Sequence, residues 1–193
     1  MRLILHLLLI CVIAVGIGLG LTWLAVRNPP ALNVIADGPW TAIANEGSPD
    51  VDAYALAALS HRGEAPISIA DGLTFRALKD SDGQVLSGAC SYRVSGVIPS
   101  VRVWSLAAFD ERGLLFPNPA QRYGYTSLSV TRDSENAVQI GLSADALPGD
   151  WIPVSRERPF MIALRLYDTT AAAISGGRSA PELPDIKRIG CGS

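Results

Sequence analysis

Residues 73–96 read LTFRALKDSDGQVLSGACSYRVSG, and from about Ile67 onward the chain changes from helical to strand-like patterning. Two strand-like runs flank Asp82-Gly83, and Asp-Gly between such runs signals a type I′ hairpin turn. The expectation here is an antiparallel hairpin. The DSDG centre also opens like a calcium loop. It lacks the further ligands and the closing glutamate that such a loop needs, so the turn is the reading.

Downstream the same grammar repeats. SVRVWSLAAFDERGLLF (100–116) is a strand followed by a turn. YTSLSVTRDSENAVQIGLSAD (125–145) alternates apolar and polar residues on both sides of Ser134-Glu135-Asn136, which predicts a second hairpin. PFMIALRLYD (159–168) is a continuous apolar run suited to the middle of a sheet. Several short strands with turn signals between them predict a mainly β domain, an antiparallel β-sandwich of jelly-roll type.

Upstream lies one soluble helix, SPDVDAYALAALSHRG (48–63). Ser48 is placed to cap it, Pro49 suits its first turn, Asp50 and Asp52 suit its positive end, and Gly63 closes it. Val51, Tyr54, Ala55, Ala58 and Leu59 recur at helical spacing and predict its apolar face. His61 falls in the last turn, where an imidazole suits the helix dipole. Before the helix, RNPPALNVIADGPW (27–40) reads as a tether over residues 28–39, with Trp40 the first anchored residue of a domain spanning 40–193. Asn28-Pro29-Pro30 stops any helix that precedes it.

Residues 3–26, LILHLLLICVIAVGIGLGLTWLAV, are apolar apart from His6 and Thr22. The run is long enough to cross a hydrocarbon core of about 30 Å, and longer than the apolar core of a cleaved signal peptide. It is read as a signal anchor over residues 1–27. Gly16 and Gly20 form a GxxxG step, which in a single span reads as ordinary composition. Arg2 and Arg27 flank the span and barely decide its orientation. The short N-terminal tail favours the N-terminus inside and the domain outside.

Composition excludes several functions. The chain of 193 residues carries 16 Lys and Arg against 18 Asp and Glu, scattered without the basic stripe of a nucleic-acid binder. Histidine occurs only at His6 and His61, too few for a His-based zinc site. No HExxH, GxSxG or CxxC occurs. No metal or cofactor is expected. Cys11 lies in the apolar run; Cys90 and Cys191 are the only thiols beyond it. A metal pair would lack further ligands, and a catalytic Cys90 would have only His61 as a base. A Cys90–Cys191 disulfide needs proximity and an oxidising compartment, and it is the expectation. It would pin the chain end to the start of the strand that holds Tyr92, and it argues for a domain outside the cytoplasm. The whole reads as a single-pass protein of a bacterial inner membrane with its C-terminal domain in the periplasm.

YRVSGVIPSVRVWSLAAFDERGLLFPNPAQRY (92–123), then DWIPV (150–154) and FMIALRLYD (160–168), resemble the uncharacterised domain family DUF1214. The resemblance rests on an ordered set: Tyr92, Gly96, Trp104, Ser105, Phe109, Asp110, Gly113, Asn118, Trp151, Pro153, Leu164, Arg165, Leu166 and Tyr167. It covers about residues 40–168 and implies a jelly-roll-like β-sandwich. In longer chains the family is often joined to a second domain, DUF1254; this chain reads as a single-domain, membrane-anchored member without it. The resemblance implies no reaction.

Arg102, Trp104, Asp110, Asn118, Arg165 and Tyr167 are the candidate ligand-pocket residues. On a strand over 101–109, Arg102, Trp104, Leu106 and Ala108 share one face and Val101, Val103, Ser105, Ala107 and Phe109 the other. Arg165 and Tyr167 share a face opposite Leu164 and Leu166. A guanidinium, a phenol and an indole around one pocket would suit a sugar or a carboxylate. Alternatively, Arg165 pairs with Asp110 or another acid, Trp104 belongs to the core, Asp110 and Gly113 form a turn, and Asn118 caps a loop. Two functions follow: a non-catalytic envelope module binding a partner protein or a glycan, or an extracytoplasmic enzyme or ligand-binding domain with a site around Arg165, Tyr167, Trp104 and Asp110.

Overall fold

The computed structural model describes residues 2–27, 34–43, 46–48, 51, 53–62, 66–68, 71–169 and 182–192. Helix α1 spans Arg2–Arg27, and none of its residues is buried. Beyond it the chain forms two packed sheets. The larger has six strands in the order β1 (Val34–Asp37), β2 (Trp40–Ile43), β3 (Gly72–Ala77), β9 (Met161–Tyr167), β5 (Val103–Phe109) and β6 (Gly124–Thr126). The smaller has four: β10 (Asp185–Cys191), β4 (Cys90–Gly96), β7 (Val138–Ser143) and β8 (Asp150–Pro153). All strand pairs are antiparallel except β7 with β8, which run parallel. The expected sandwich is therefore present, with one parallel pair added at the edge of the small sheet.

Period-2 patterning explains the core. Trp104, Leu106 and Ala108 of β5 point inward and alternate with half-buried Val103, Ser105, Ala107 and Phe109. Leu73 and Phe75 of β3, Leu164 and Leu166 of β9, and Tyr92, Val94, Ile140 and Leu142 from the opposite sheet complete one cluster. Burying side chains of this size contributes about 1.5–3 kcal/mol each. Phe160 meets Tyr92 edge-on, with ring centroids 5.7 Å apart. The Tyr92 hydroxyl accepts the Ser87 backbone N–H at 3.0 Å, which satisfies its one buried polar atom. As expected, β9 lies mid-sheet, between β3 and β5.

Three expectations change. The first is the pair of hairpins. β3 and β4 belong to different sheets, and so do β6 and β7. DSDG and DSEN do turn the chain, but each closes only a short local bridge, Lys79 with Val85 and Arg132 with Val138. The chain then crosses to the other sheet. Nor is DSDG a type I′ turn, because Gly83 (φ 80°) is its only positive-φ residue. The second is the tether. Residues 34–37, inside the expected tether, form β1, paired with β2 through a turn at Gly38; Trp40 is fully buried as its anchored role requires. The third is the helix. α2 spans Ala53–Arg62, later than Ser48, whose carbonyl instead accepts the Val51 N–H in a preceding turn. Leu59 is buried, whereas Tyr54 is largely exposed. Pro49, Asp50, Asp52 and Gly63 lie outside the described residues.

The C-terminal segment is a full strand. β10 pairs with β4 from Asp185 opposite Ser95 to Cys191 opposite Cys90, and those two cysteines are joined as a disulfide. Ile186 is fully buried in the core. Arg188 reaches the buried carboxylate of Asp80 at 3.0 Å. Trp40 donates its indole N–H to the Pro184 carbonyl at 2.7 Å.

Candidate functional site

Asp110 opens the turn after β5. Its backbone carbonyl accepts the Gly113 N–H at 3.0 Å, and its N–H donates to Leu114 at 2.9 Å. Its carboxylate Oδ1 accepts the N–H groups of Arg112 and Leu114. Asp is used because its short side chain can accept backbone N–H groups two and four residues on. Asp133 makes the equivalent pair of bonds to Glu135 and Ala137, and Asp80 makes one to Gln84. Gly83, Gly113 and Asn136 each take the positive φ that these turns require.

Asn118 holds a second loop closed. Its amide donates to the carbonyls of Phe116 and Arg122, and its side-chain oxygen accepts the Arg122 N–H. Asn118 and Asp110 line one open groove of 650 Å³, together with Phe116, Trp151, Pro153 and Arg158. One side of the groove is β8 and the other is the 115–120 loop. Asp110 Oδ2 lies 4.0 Å from the Arg158 guanidinium, which is mostly exposed.

The other four predicted residues lie elsewhere. Trp104 is in the core, opposite Leu166. Arg165 and Tyr167 sit on the outer face of the same sheet, away from Trp104. Arg165 lies between Thr74 and Ser105 in register, with its guanidinium 5.6 Å from the Phe109 ring centroid. Its partner is thus an aromatic face, and Asp110 faces Arg158. Arg102 pairs with Asp168 at 3.4 Å on the open surface. Alternation along β5 and β9 makes a joint pocket unattainable, because Trp104 and the Arg165–Tyr167 pair leave the sheet on opposite sides. Of the six, Asp110 and Asn118 share this groove.

Trp151 and Arg158 line the groove without having been singled out as site residues, and Arg122 and Tyr125 hold Trp151 in place. Trp151 is half-buried; its indole N–H donates to the Ser143 carbonyl at 3.0 Å. Its backbone N–H donates to the Tyr125 hydroxyl at 3.1 Å, and its carbonyl accepts from Arg122 at 3.3 Å. The Trp-x-Pro spacing was visible, but nothing in it points to Arg122 and Tyr125, 29 and 26 residues upstream. Among the described residues there is no group of three or more His, Cys, Asp or Glu that could hold a metal ion.

The family model for DUF1214, described as a protein of unknown function, matches residues 71–171. The crystal structure of the VPA0106 protein from Vibrio parahaemolyticus is similar over 72% of this chain, at 25% identity and a TM-score of 0.57. A putative uncharacterised protein from Burkholderia cenocepacia is similar over 88% of the chain, at 17% identity and a TM-score of 0.46. The chain spans 36% and 39% of the lengths of those two proteins. No curated protein gives a significant match. With the family match extending over just over half of its length, the chain belongs to the DUF1214 family of proteins of unknown function.

Proposed function

We propose that the protein is a single-pass envelope protein of a bacterial inner membrane, whose β-sandwich works in the periplasm as a non-catalytic binding or structural module. The observation that carries this reading is the Cys90–Cys191 disulfide, bridging residues 101 apart in the β domain. Such a bond persists in oxidising compartments and is rare in the cytosol. The helix α1 supports it: 26 residues at about 1.5 Å each reach roughly 39 Å, enough to span a bilayer. The Arg27 guanidinium lies 4.0 Å from the Trp23 ring centroid, at the helix end nearer the domain. Trp and Arg together suit the headgroup region.

The polar residues singled out by sequence favour the non-catalytic role. The Asp110 and Asn118 side chains are engaged by backbone groups, and Arg102 and Arg165 by Asp168 and Phe109. Nothing in this arrangement sets a nucleophile beside a base, which an acyl- or glycosyl-transfer site would need.

Thiol labelling of membranes from expressing cells tests the reading. Neither Cys90 nor Cys191 should react with a maleimide under denaturing conditions until reductant is added, and both should react afterwards. Protease added to spheroplasts should degrade the domain. Reaction of both thiols without reductant, or protection of the domain in intact spheroplasts, would sink the assignment.

A further inference from the structure

The exposed edge of β8 limits what the groove beside it can hold. Its Trp151 N–H and C=O are taken by Tyr125 and Arg122, and Pro153 has no N–H to offer. An extended peptide therefore cannot add to this edge as another strand. What the groove does present is a ring and a charged pair. The Trp151 indole spends its N–H inward on Ser143, and one face of its half-buried ring carries the Arg122 guanidinium, 5.8 Å from the centroid, which leaves the other face for the groove that Trp151 lines. Asp110 Oδ1 is occupied by backbone N–H groups, while Oδ2 and the Arg158 guanidinium stand 4.0 Å apart, beyond hydrogen-bond length. Each keeps hydrogen-bonding capacity for a third group between them.

We propose that this groove binds a neutral oligosaccharide. A pyranose ring has an apolar C–H face, which lies on an aromatic plate. Its rim of vicinal hydroxyls both donates and accepts, which matches a carboxylate and a guanidinium side by side. The groove volume of 650 Å³ lies within the range of small-ligand sites. The lining charges weigh against an acidic sugar, since Asp110 and Glu157 outnumber Arg158. The inference rests on the binding half of the proposed function. It is independent of the anchor and of the disulfide.

The test uses the full chain in an amine-oxide detergent, which carries no sugar headgroup. Chitotetraose and maltotetraose are the neutral probes and a hyaluronan tetrasaccharide the acidic one, followed by tryptophan fluorescence and calorimetry. At least one neutral probe should saturate. Arg158→Gln and Asp110→Asn should each weaken it about tenfold or more, the loss expected for a hydrogen bond to a charged group, while unfolding at the parent temperature. Asp110→Asn retains the turn acceptor, so its fold is preserved. No saturation by either neutral probe at millimolar concentration would overturn the proposal. So would undiminished binding by both variants, or a preference for the acidic probe. None of these results bears on thiol labelling or protease access, so the two readings fail separately.

Discussion

Asp80, Asp110 and Asp133 solve one problem three times. Each starts a four-residue turn whose last residue has positive φ, at Gly83, Gly113 and Asn136. An added Cβ at Gly83 meets nothing within 4 Å, so substitution there changes backbone preference and no contact. Gly83→Ala should cost about 1–2 kcal/mol, the left-handed penalty of an L-residue. Asn136→Gly should stay within about 0.5 kcal/mol, since asparagine already tolerates that region. Thermal unfolding of the two variants beside the parent checks the contrast; equal effects would refute the shared turn geometry. The turn roles of Asp110 and Asn118 were legible because their partners lie two to four residues away. Arg158 was not legible as the neighbour of Asp110, because it lies 48 positions further on, with three strands, β6 to β8, between them.

At the scale of elements, alternation located the strands and misassigned their partners. A turn signal states that the chain reverses; it does not state which sheet receives it. β3 and β4 flank DSDG, yet β3 pairs with β2 and β9 and β4 with β7 and β10. The central position of β9 was legible from its long apolar run, although Arg165 and Tyr167 stand on the half-buried outer face. β10 was hidden, since DIKRIGC offers one buried residue, Ile186, in seven. Its attachment is made by long-range contacts: the Arg188–Asp80 pair, the Trp40–Pro184 bond and the Cys90–Cys191 bridge. These ties predict the effect of losing one. Cys191→Ser opens a loop of about a hundred residues, worth about 4.7 kcal/mol in the chain-entropy account. For a domain of this size the unfolding temperature should fall by about 9–19 °C. The strand itself should persist, because Ile186 and Arg188 still hold it. Differential scanning calorimetry gives the shift, and hydrogen exchange at Ile186 and Lys187 reports the strand. Full exchange of those amides in the variant would mean that the disulfide alone secures β10.

For the whole molecule the question is whether α1 belongs to the fold or only carries it. The core cluster draws on both sheets and contains no residue of α1. The helix itself buries none of its side chains. A chain of 160 residues from Val34 to Ser193 is large enough to bury about two thirds of its unfolded surface without help. The apolar helix therefore supplies the core with no residue; it touches α2, and only its Ala25 and Val26 are half-buried. Removal of residues 1–33 should yield a soluble protein whose unfolding temperature matches that of the full chain in detergent within about 2 °C, since roughly 1 kcal/mol of lost packing would already move it by about 2–4 °C. Size-exclusion chromatography and calorimetry on the truncated protein decide the matter. A larger drop, or aggregation of the released domain, would mean that α1 covers part of the sandwich. The orientation of the sandwich relative to α1 would then be fixed by packing.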